Sequence, residues 1–272
     1  MMRIVFPLRR LKGMPDDEFY GYWREQHGPL VASVANDLGI RRYVQTHTLH
    51  DDPITLSLRE IYGSSDDLFD GMAEVWFNDP EDRNGAAFTE AGQAAGALLL
   101  EDEKKFIDMS RSLMYMGTDL PQINPVENIK VAGPATPIVK YVAFLCQRSD
   151  LPFEATQLYW RMHHGPLARQ AAQTLGFLRY LQVHRYPTAM AEGFREMRGI
   201  PETQMMGHAE IWLNRYEFSA VAGPEVDAVF EMALPETKSF VDLEKSVFFV
   251  SKEHVLVDRP VVTGAIPVQR DA

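Results

Sequence analysis

Two histidines, His27 and His164, occupy the same place in two copies of one motif. Imidazole titrates near neutral pH, so either side chain could act as general base or acid without help from a metal. The motif reads Tyr22-Trp23-Arg24-x-x-His27-Gly28-Pro29-Leu30 and returns as Tyr159-Trp160-Arg161-x-x-His164-Gly165-Pro166-Leu167. The competing reading is a histidine bonded to nearby carbonyls at a helix break. A second pair, His47 and His184, closes Arg42-Tyr43-x-Gln45-x-His47 and Arg179-Tyr180-x-Gln182-x-His184. Alternate residues of a strand share a face, so Tyr43 with His47, or Tyr180 with His184, could bind and protonate a carbonyl or phenolate oxygen. A buried polar ladder that satisfies itself is the structural alternative.

Glu74 and Glu210 are expected on that same face, beside Trp76 and Trp212, where burial would raise a carboxyl pKa. Each would orient a histidine or act as a base, or else pair with a cation such as Arg42. Trp76 and Trp212 would wall an aromatic ligand together with Gln45 and Gln182, whereas Trp23 and Trp160 read as core. Arg24 and Arg161 could hold a substrate carboxylate or phenolate, or form surface salt bridges. Adjacent His163 and His164 cannot easily share one metal ion from a helix, because their side chains diverge by about 100°. No H-x-x-x-H or H-E-x-x-H pattern occurs. A single histidine can be enough for haem, which therefore stays open beside a reading with no cofactor.

The elements that must position these residues are themselves repeated. Trp23 and Trp160 are offset by 137 residues, and the repeat carries on through Ala73-Glu74-Val75-Trp76-Phe77 against Ala209-Glu210-Ile211-Trp212-Leu213 and Lys104-x-Phe106-x-Asp108 against Lys238-x-Phe240-x-Asp242, where the offset falls to 136 and then 134. The boundaries expected are repeat 1 over 1–121, a proline-bearing linker over 122–137 and repeat 2 over 138–272. Each copy reads strand, helix, strand, strand, helix, strand, the ferredoxin-like βαββαβ plan of the α+β class. The first helix should start near Asp16 or Asp150, capped by acidic side chains, and break or kink at the Gly-Pro pair. In strand two, Val44 and Thr46 should lie under the helices, leaving Tyr43, Gln45 and His47 on the opposite face. Two such polar faces would confront each other around a cavity.

The copies also differ. Asp70 becomes Met206, Met72 becomes His208 and Glu25-Gln26 becomes Met162-His163, so one half could carry the chemistry while the other is a wall. Two sites with different tasks remain an alternative. A long connection between strands two and three, holding Leu58-Arg59-Glu60-Ile61 or Phe194-Arg195-Glu196-Met197, would be a lid or would bind the two halves together. As part of a lid, Arg59 joins the candidate substrate-binding residues.

The combination of W-x-x-x-H-G-P-L, R-Y-x-Q-x-H, Asp70-Gly71-x-Ala73-Glu74-x-Trp76-Phe77 and Asp102-Glu103-x-x-Phe106-x-Asp108 resembles the EthD family over nearly the whole of each half. The resemblance implies a dimeric α+β barrel, here two ferredoxin-like repeats packed sheet to sheet as one pseudo-dimeric barrel within a single chain. It also implies proton transfer without a cofactor on a hydrophobic, aromatic small molecule: a lyase, dehydratase, decarboxylase or isomerase. The rivals are a cofactor-free monooxygenase and a non-catalytic ligand-binding accessory protein.

Composition narrows the classes. A net charge of −11 argues against sequence-independent nucleic-acid binding, and no apolar run reaches the length a membrane span needs. One cysteine, Cys146, cannot form an internal disulfide framework. A strand-like start at Arg3 leaves no evident signal peptide. A cytoplasmic location, a small aromatic substrate and association of two such chains are the corresponding expectations.

Overall fold

The computed structural model describes residues 2–77, 85–86, 89–124, 131–220 and 223–259. Its first half runs β1 (Met2–Leu8), α1 (Asp16–Tyr22), α2 (Gly28–Ser33), β2 (Ile40–Thr48), α3 (Pro53–Tyr62), β3 (Gly71–Phe77), α4 (Glu90–Glu103) and β4 (Tyr115–Ile123). The second half runs β5 (Ile138–Gln147), α5 (Phe153–Tyr159), α6 (Gly165–Ala171), β6 (Phe177–Arg185), α7 (Ala189–Met197), β7 (Met205–Asn214), α8 (Arg215–Ala220), α9 (Pro224–Lys238) and β8 (Val241–Asp258). Each half is the expected βαββαβ unit, with a helix, α3 or α7, inserted between its second and third strands. The expected linker lies partly outside the described residues, and β4 extends into it as far as Ile123.

All strand pairs are antiparallel, and the order β1-β3-β2-β8-β5-β7-β6-β4 closes a barrel. Closure depends on the last strand of each half, which pairs at one end with its own half and at the other with the opposite one. β8 follows β5 and then β2, and β4 follows β1 and then β6. No sheet edge is left open.

The motif helices differ from expectation at both ends. Pro15 and Pro152 occupy the N-cap positions and no side chain caps either helix. Asp16, Asp17 and Glu18 lie inside the first turn, where the helix dipole favours negative charge. Asp150 instead holds Arg148. The Gly-Pro pair does not break the helix: Trp23–His27 and Trp160–His164 form π-helical turns. Proline has no N–H to return to the preceding turn, and the widened turn absorbs that mismatch. Gly28 N–H then bonds Trp23 O, and Gly165 N–H bonds Trp160 O.

The faces of strand two are the reverse of those expected. Val44 lies opposite Glu74 and Tyr43 opposite Val75, and residues directly opposite in a ladder share a face. Val44, Thr46 and Glu74 therefore point into the barrel, while Tyr43, Gln45 and His47 lie under the motif helix. The physical reason is Trp23: its indole N–H donates to the Tyr43 hydroxyl at 3.1 Å, and its carbonyl accepts from Gln45 Nε2 at 2.7 Å. A helix that buries an indole and a π-turn carbonyl needs a polar strand face beneath it.

Three apolar clusters result, one under the helices of each half and one inside the barrel. Trp23 can seat in the first because Gly71 lies below it; a Cβ there would collide with the Thr46 carbonyl and the Trp23 ring. Gly207 holds the same place under Trp160 and has φ +147°. Gly71→Ala is accordingly expected to destabilise the protein by about 1–3 kcal/mol, read as a lower denaturant midpoint at unchanged slope. Gly13→Ala, where no atom crowds the added Cβ but φ is +86°, separates crowding from backbone strain.

Candidate active site

The larger cavity, 330 Å³, opens between the outer face of the first-half sheet and its helices, not between the two sheets. Its wall is mostly aliphatic and aromatic, with His27, Tyr43, Gln93, Glu103 and Arg198 as polar members. Its size sits at the lower end of the range for small-molecule sites. A smaller cavity, 110 Å³, occupies the corresponding place in the second half.

His27 is buried, and its Nδ1 lies 2.9 Å from Asp102 Oδ2. The carboxylate accepts from Nδ1–H, which leaves Nε2 of the neutral ring as the basic nitrogen. Asp102 is itself fixed: Tyr22 donates to Oδ1 at 2.6 Å and Lys105 at 2.9 Å. Burial pushes this carboxyl up, but the bonds from Tyr22, Lys105 and His27 prevail and hold it below the usual range. A fixed anion on one imidazole nitrogen orients the ring and stabilises the imidazolium formed when the other takes a proton.

Tyr43 supplies the complementary group. Gln45 must turn its amide nitrogen toward the Trp23 carbonyl, and the same nitrogen lies 3.1 Å from the Tyr43 oxygen. The hydroxyl therefore accepts from both Trp23 and Gln45. Its own proton has no acceptor among the described residues, and the ring lines the cavity. Burial pushes the phenol well above its ordinary range, so it remains a donor.

His47 has a different task from the one expected. It stacks on Trp23 and Tyr20 with centroids 4.7 and 4.8 Å away, and its Nε2 donates to Gln45 Oε1 at 3.2 Å. His184 repeats this on Trp160 and Gln182. Both belong to the self-satisfied ladder and position a glutamine. Burial pushes His47 to about 2 and His184 to about 4, and His208 inside the barrel also falls to about 4.

These shifts predict a pH dependence of stability. The unfolded chain protonates each histidine near 6.5 while the folded protein keeps it neutral, so stability falls as pH falls below that value. The slope is at most about 1.4 kcal/mol per pH unit for each histidine. Glu74, which burial holds up near 7 against an ordinary 4.5, is protonated first in the folded state and offsets one of the three across that interval. The urea midpoint should therefore drop steadily from pH 6.5 to 4.5; a midpoint that stays level would contradict the assignment.

The remaining expected site residues lie elsewhere. Glu74, Glu210, Trp76 and Trp212 are in the barrel interior, on the opposite side of the sheet from His27 and Tyr43. Arg3 and Lys140 each bridge Glu74 and Glu210, and they reach Asp119 and Glu253 respectively. Arg3 lies over the Trp76 ring at 4.7 Å and Lys140 over the Trp212 ring at 5.1 Å. These tryptophans wall a charge network, and Glu74 tunes no cavity histidine. Arg24 is exposed and pairs with Glu25, and neither Arg161 nor Arg59 is among the residues lining these two cavities. Trp23 and Trp160 are fully buried yet line the two cavities. His164, Tyr180 and Gln182 repeat the first-half arrangement in the second half.

Each insertion reaches the cavity of the opposite half. α7 and its C-cap bring Phe194, Met197 and Arg198 to the first cavity, while α3 brings Leu58 and Tyr62 to the second. Arg198 clasps Glu103 through Nε at 2.8 Å and Nη2 at 3.1 Å. Each half thus completes its partner's cavity. The copy differences at Asp70 and Met72 fall outside both cavities, since Asp70 anchors Arg10 and His50 and His208 lies in the barrel.

Asp102, Glu103, Arg198 and Glu236 were not among the expected site residues. The signal was present in Asp102-Glu103-x-x-Phe106, whose equivalent in the repeat register begins at Glu236, so that an acid recurs. Arg198 has no comparable signal, since its partner lies in the other half. Among the described residues no cluster of three or more His, Cys, Asp or Glu side chains could hold a metal ion, and no helix is long and apolar enough to cross a membrane.

Comparison with curated proteins finds no match. Among solved structures, the chain is similar to a candidate monooxygenase from Lactobacillus acidophilus, at 8% identity over 95% of this chain and 96% of that one, with a TM-score of 0.47. A candidate monooxygenase from Fusobacterium nucleatum matches at 8% identity over 93% of each chain, TM-score 0.49. An ethyl tert-butyl ether degradation (EthD) family protein from Bacillus halodurans matches at 21% identity, over 44% of this chain and 100% of that one, TM-score 0.31. Residues 11–110 match the EthD domain model, and the chain carries a second copy of the βαββαβ fold after this first half.

Proposed function

We propose that the first half is an acid–base catalyst, independent of any cofactor, for a hydrophobic small molecule bearing an acidic C–H beside a carbonyl or phenol. The observation that carries this reading is the His27–Asp102 pair in the wall of a 330 Å³ apolar cavity that also holds Tyr43. His27 Nε2 would take the proton from the carbon next to the carbonyl. The Tyr43 hydroxyl would donate to the enolate oxygen as charge develops there, within a mostly apolar wall. Returning the proton to another carbon gives an isomerase; delivering it to a leaving hydroxyl gives a dehydratase. Aromatic character in the substrate fits a wall containing Phe6, Phe77, Trp23 and Phe194.

The test uses β-tetralone, a bicyclic ketone with acidic α-hydrogens, in deuterated buffer under nitrogen. Wild-type protein should accelerate α-hydrogen exchange followed by proton NMR, and Tyr43→Phe should slow it by roughly 10–100-fold. Absence of acceleration over buffer, or turnover only when oxygen is admitted and consumed, would refute the reading.

A further inference from the structure

The second-half cavity repeats the first in outline but not in chemistry. His164 Nδ1 lies 2.7 Å from Glu236 Oε2, so the histidine–carboxylate pair is rebuilt with a side chain one methylene longer. The support around that carboxylate is gone. Where Asp102 accepts from Tyr22 and Lys105, the corresponding residues are Tyr159 and Ser239. Tyr159 stacks on His163 at 4.8 Å, and the Ser239 hydroxyl donates to the Glu236 backbone carbonyl at 2.6 Å. Glu236 Oε1 is left buried with no hydrogen-bond partner among the described residues, and Glu236 lines the cavity. A carboxyl oxygen in that condition carries a desolvation cost, which a donor would relieve.

Size and lining narrow the donor's carrier. The volume is 110 Å³ and the wall includes Tyr62, Tyr141, Trp160, Tyr180, Phe230 and Phe248. An apolar cavity of about 150 Å³ accepts one benzene ring in a protein core, so this smaller space has room for one ring at most. The charged clasp of the first cavity is also missing. In the repeat register Arg198 corresponds to Tyr62 and Glu103 to Thr237, so no arginine or lysine lines the second cavity. An anionic ligand would face the Glu236 carboxyl there with no arginine or lysine to balance it, whereas a neutral hydroxyl can donate to Glu236.

We infer that the second cavity is a separate binding site for a neutral, single-ring phenol, whose ring packs among the aromatic residues and whose hydroxyl donates to Glu236 Oε1. This site is distinct in ligand class from the first cavity and does not depend on the reaction proposed there.

Fluorine NMR titration of the full chain with 4-fluorophenol and fluorobenzene tests it. 4-Fluorophenol should bind at least about tenfold more tightly than fluorobenzene, because a site built around a hydrogen bond rejects the analogue lacking it. Ala168→Leu, which fills the second cavity, should abolish that binding. Gly96→Leu, whose new side chain enters open space in the first cavity, should leave it in place. Glu236→Ala should bring 4-fluorophenol down to the fluorobenzene affinity, which keeps the test decisive if Ala168→Leu fails to fold. Equal affinity for the two probes, binding unchanged in Glu236→Ala, or loss with Gly96→Leu in place of Ala168→Leu would each overturn the inference. Failure of β-tetralone exchange would leave these outcomes untouched, since that reaction is read in the other cavity.

Discussion

His27→Asn is expected to lower α-hydrogen exchange on β-tetralone by about 10²–10⁴-fold, the usual worth of a positioned general base. Asparagine keeps the shape of the polar end and can still meet Asp102, but it offers no basic nitrogen on the cavity side. The fold should tolerate the change, because Trp23, Gln45 and Tyr43 hold the π-turn independently of His27. Asp102→Asn should cost less, because the ring remains in the cavity while the fixed anion that stabilises its charged form is lost. Asp102→Asn should also move the acid limb of the rate profile, which a purely structural role would not do. Circular dichroism and the urea midpoint establish folding, and exchange kinetics establish the rate. Full activity in folded His27→Asn would end the assignment.

The second large effect lies in the barrel, away from both cavities. Lys140→Met should destabilise the protein by about 3–5 kcal/mol, as expected when one partner of a buried ion network is removed. Arg3 and Lys140 face four carboxylates, Glu74, Glu210, Asp119 and Glu253, with both cations essentially inaccessible. That excess of negative charge is why burial can hold one acid, Glu74, near 7 while the two cations pull Glu210 well below its ordinary range. The repeat-related glutamates should consequently respond differently. Glu74→Gln replaces an acid that burial holds up near 7 and should cost less than Glu210→Gln, which removes a carboxylate held well below its ordinary range. Equal losses in the two variants would show that the network shares its charge evenly.

Much of the architecture was legible from residue order alone. The doubled Y-W-R-x-x-H-G-P-L, the alternation of apolar positions and a register that shifts by only three residues along the repeat specify two βαββαβ units, and the strands come in the expected order. The acid at Asp102 and Glu236 could have been paired with His27 and His164 by noting that it recurs while its length changes. The inversion of strand two was not legible. Alternation divides a strand into two faces but carries no label for inside and outside, and the polar face answers to the indole and carbonyl of Trp23, which lie outside the strand's own sequence.

Sequence by itself determined that this protein is a duplicated α+β unit and which residues would be available for chemistry. Tertiary structure decided which of them meet. His27 finds Asp102 across 75 residues and Glu103 finds Arg198 across 95, separations at which local periodicity holds no information. The same packing sent Glu74 and Glu210 into the barrel, because two buried cations there needed carboxylates more than the histidines did. It also left Glu236 with one oxygen bare, because the lysine that serves Asp102 is a serine in the second copy.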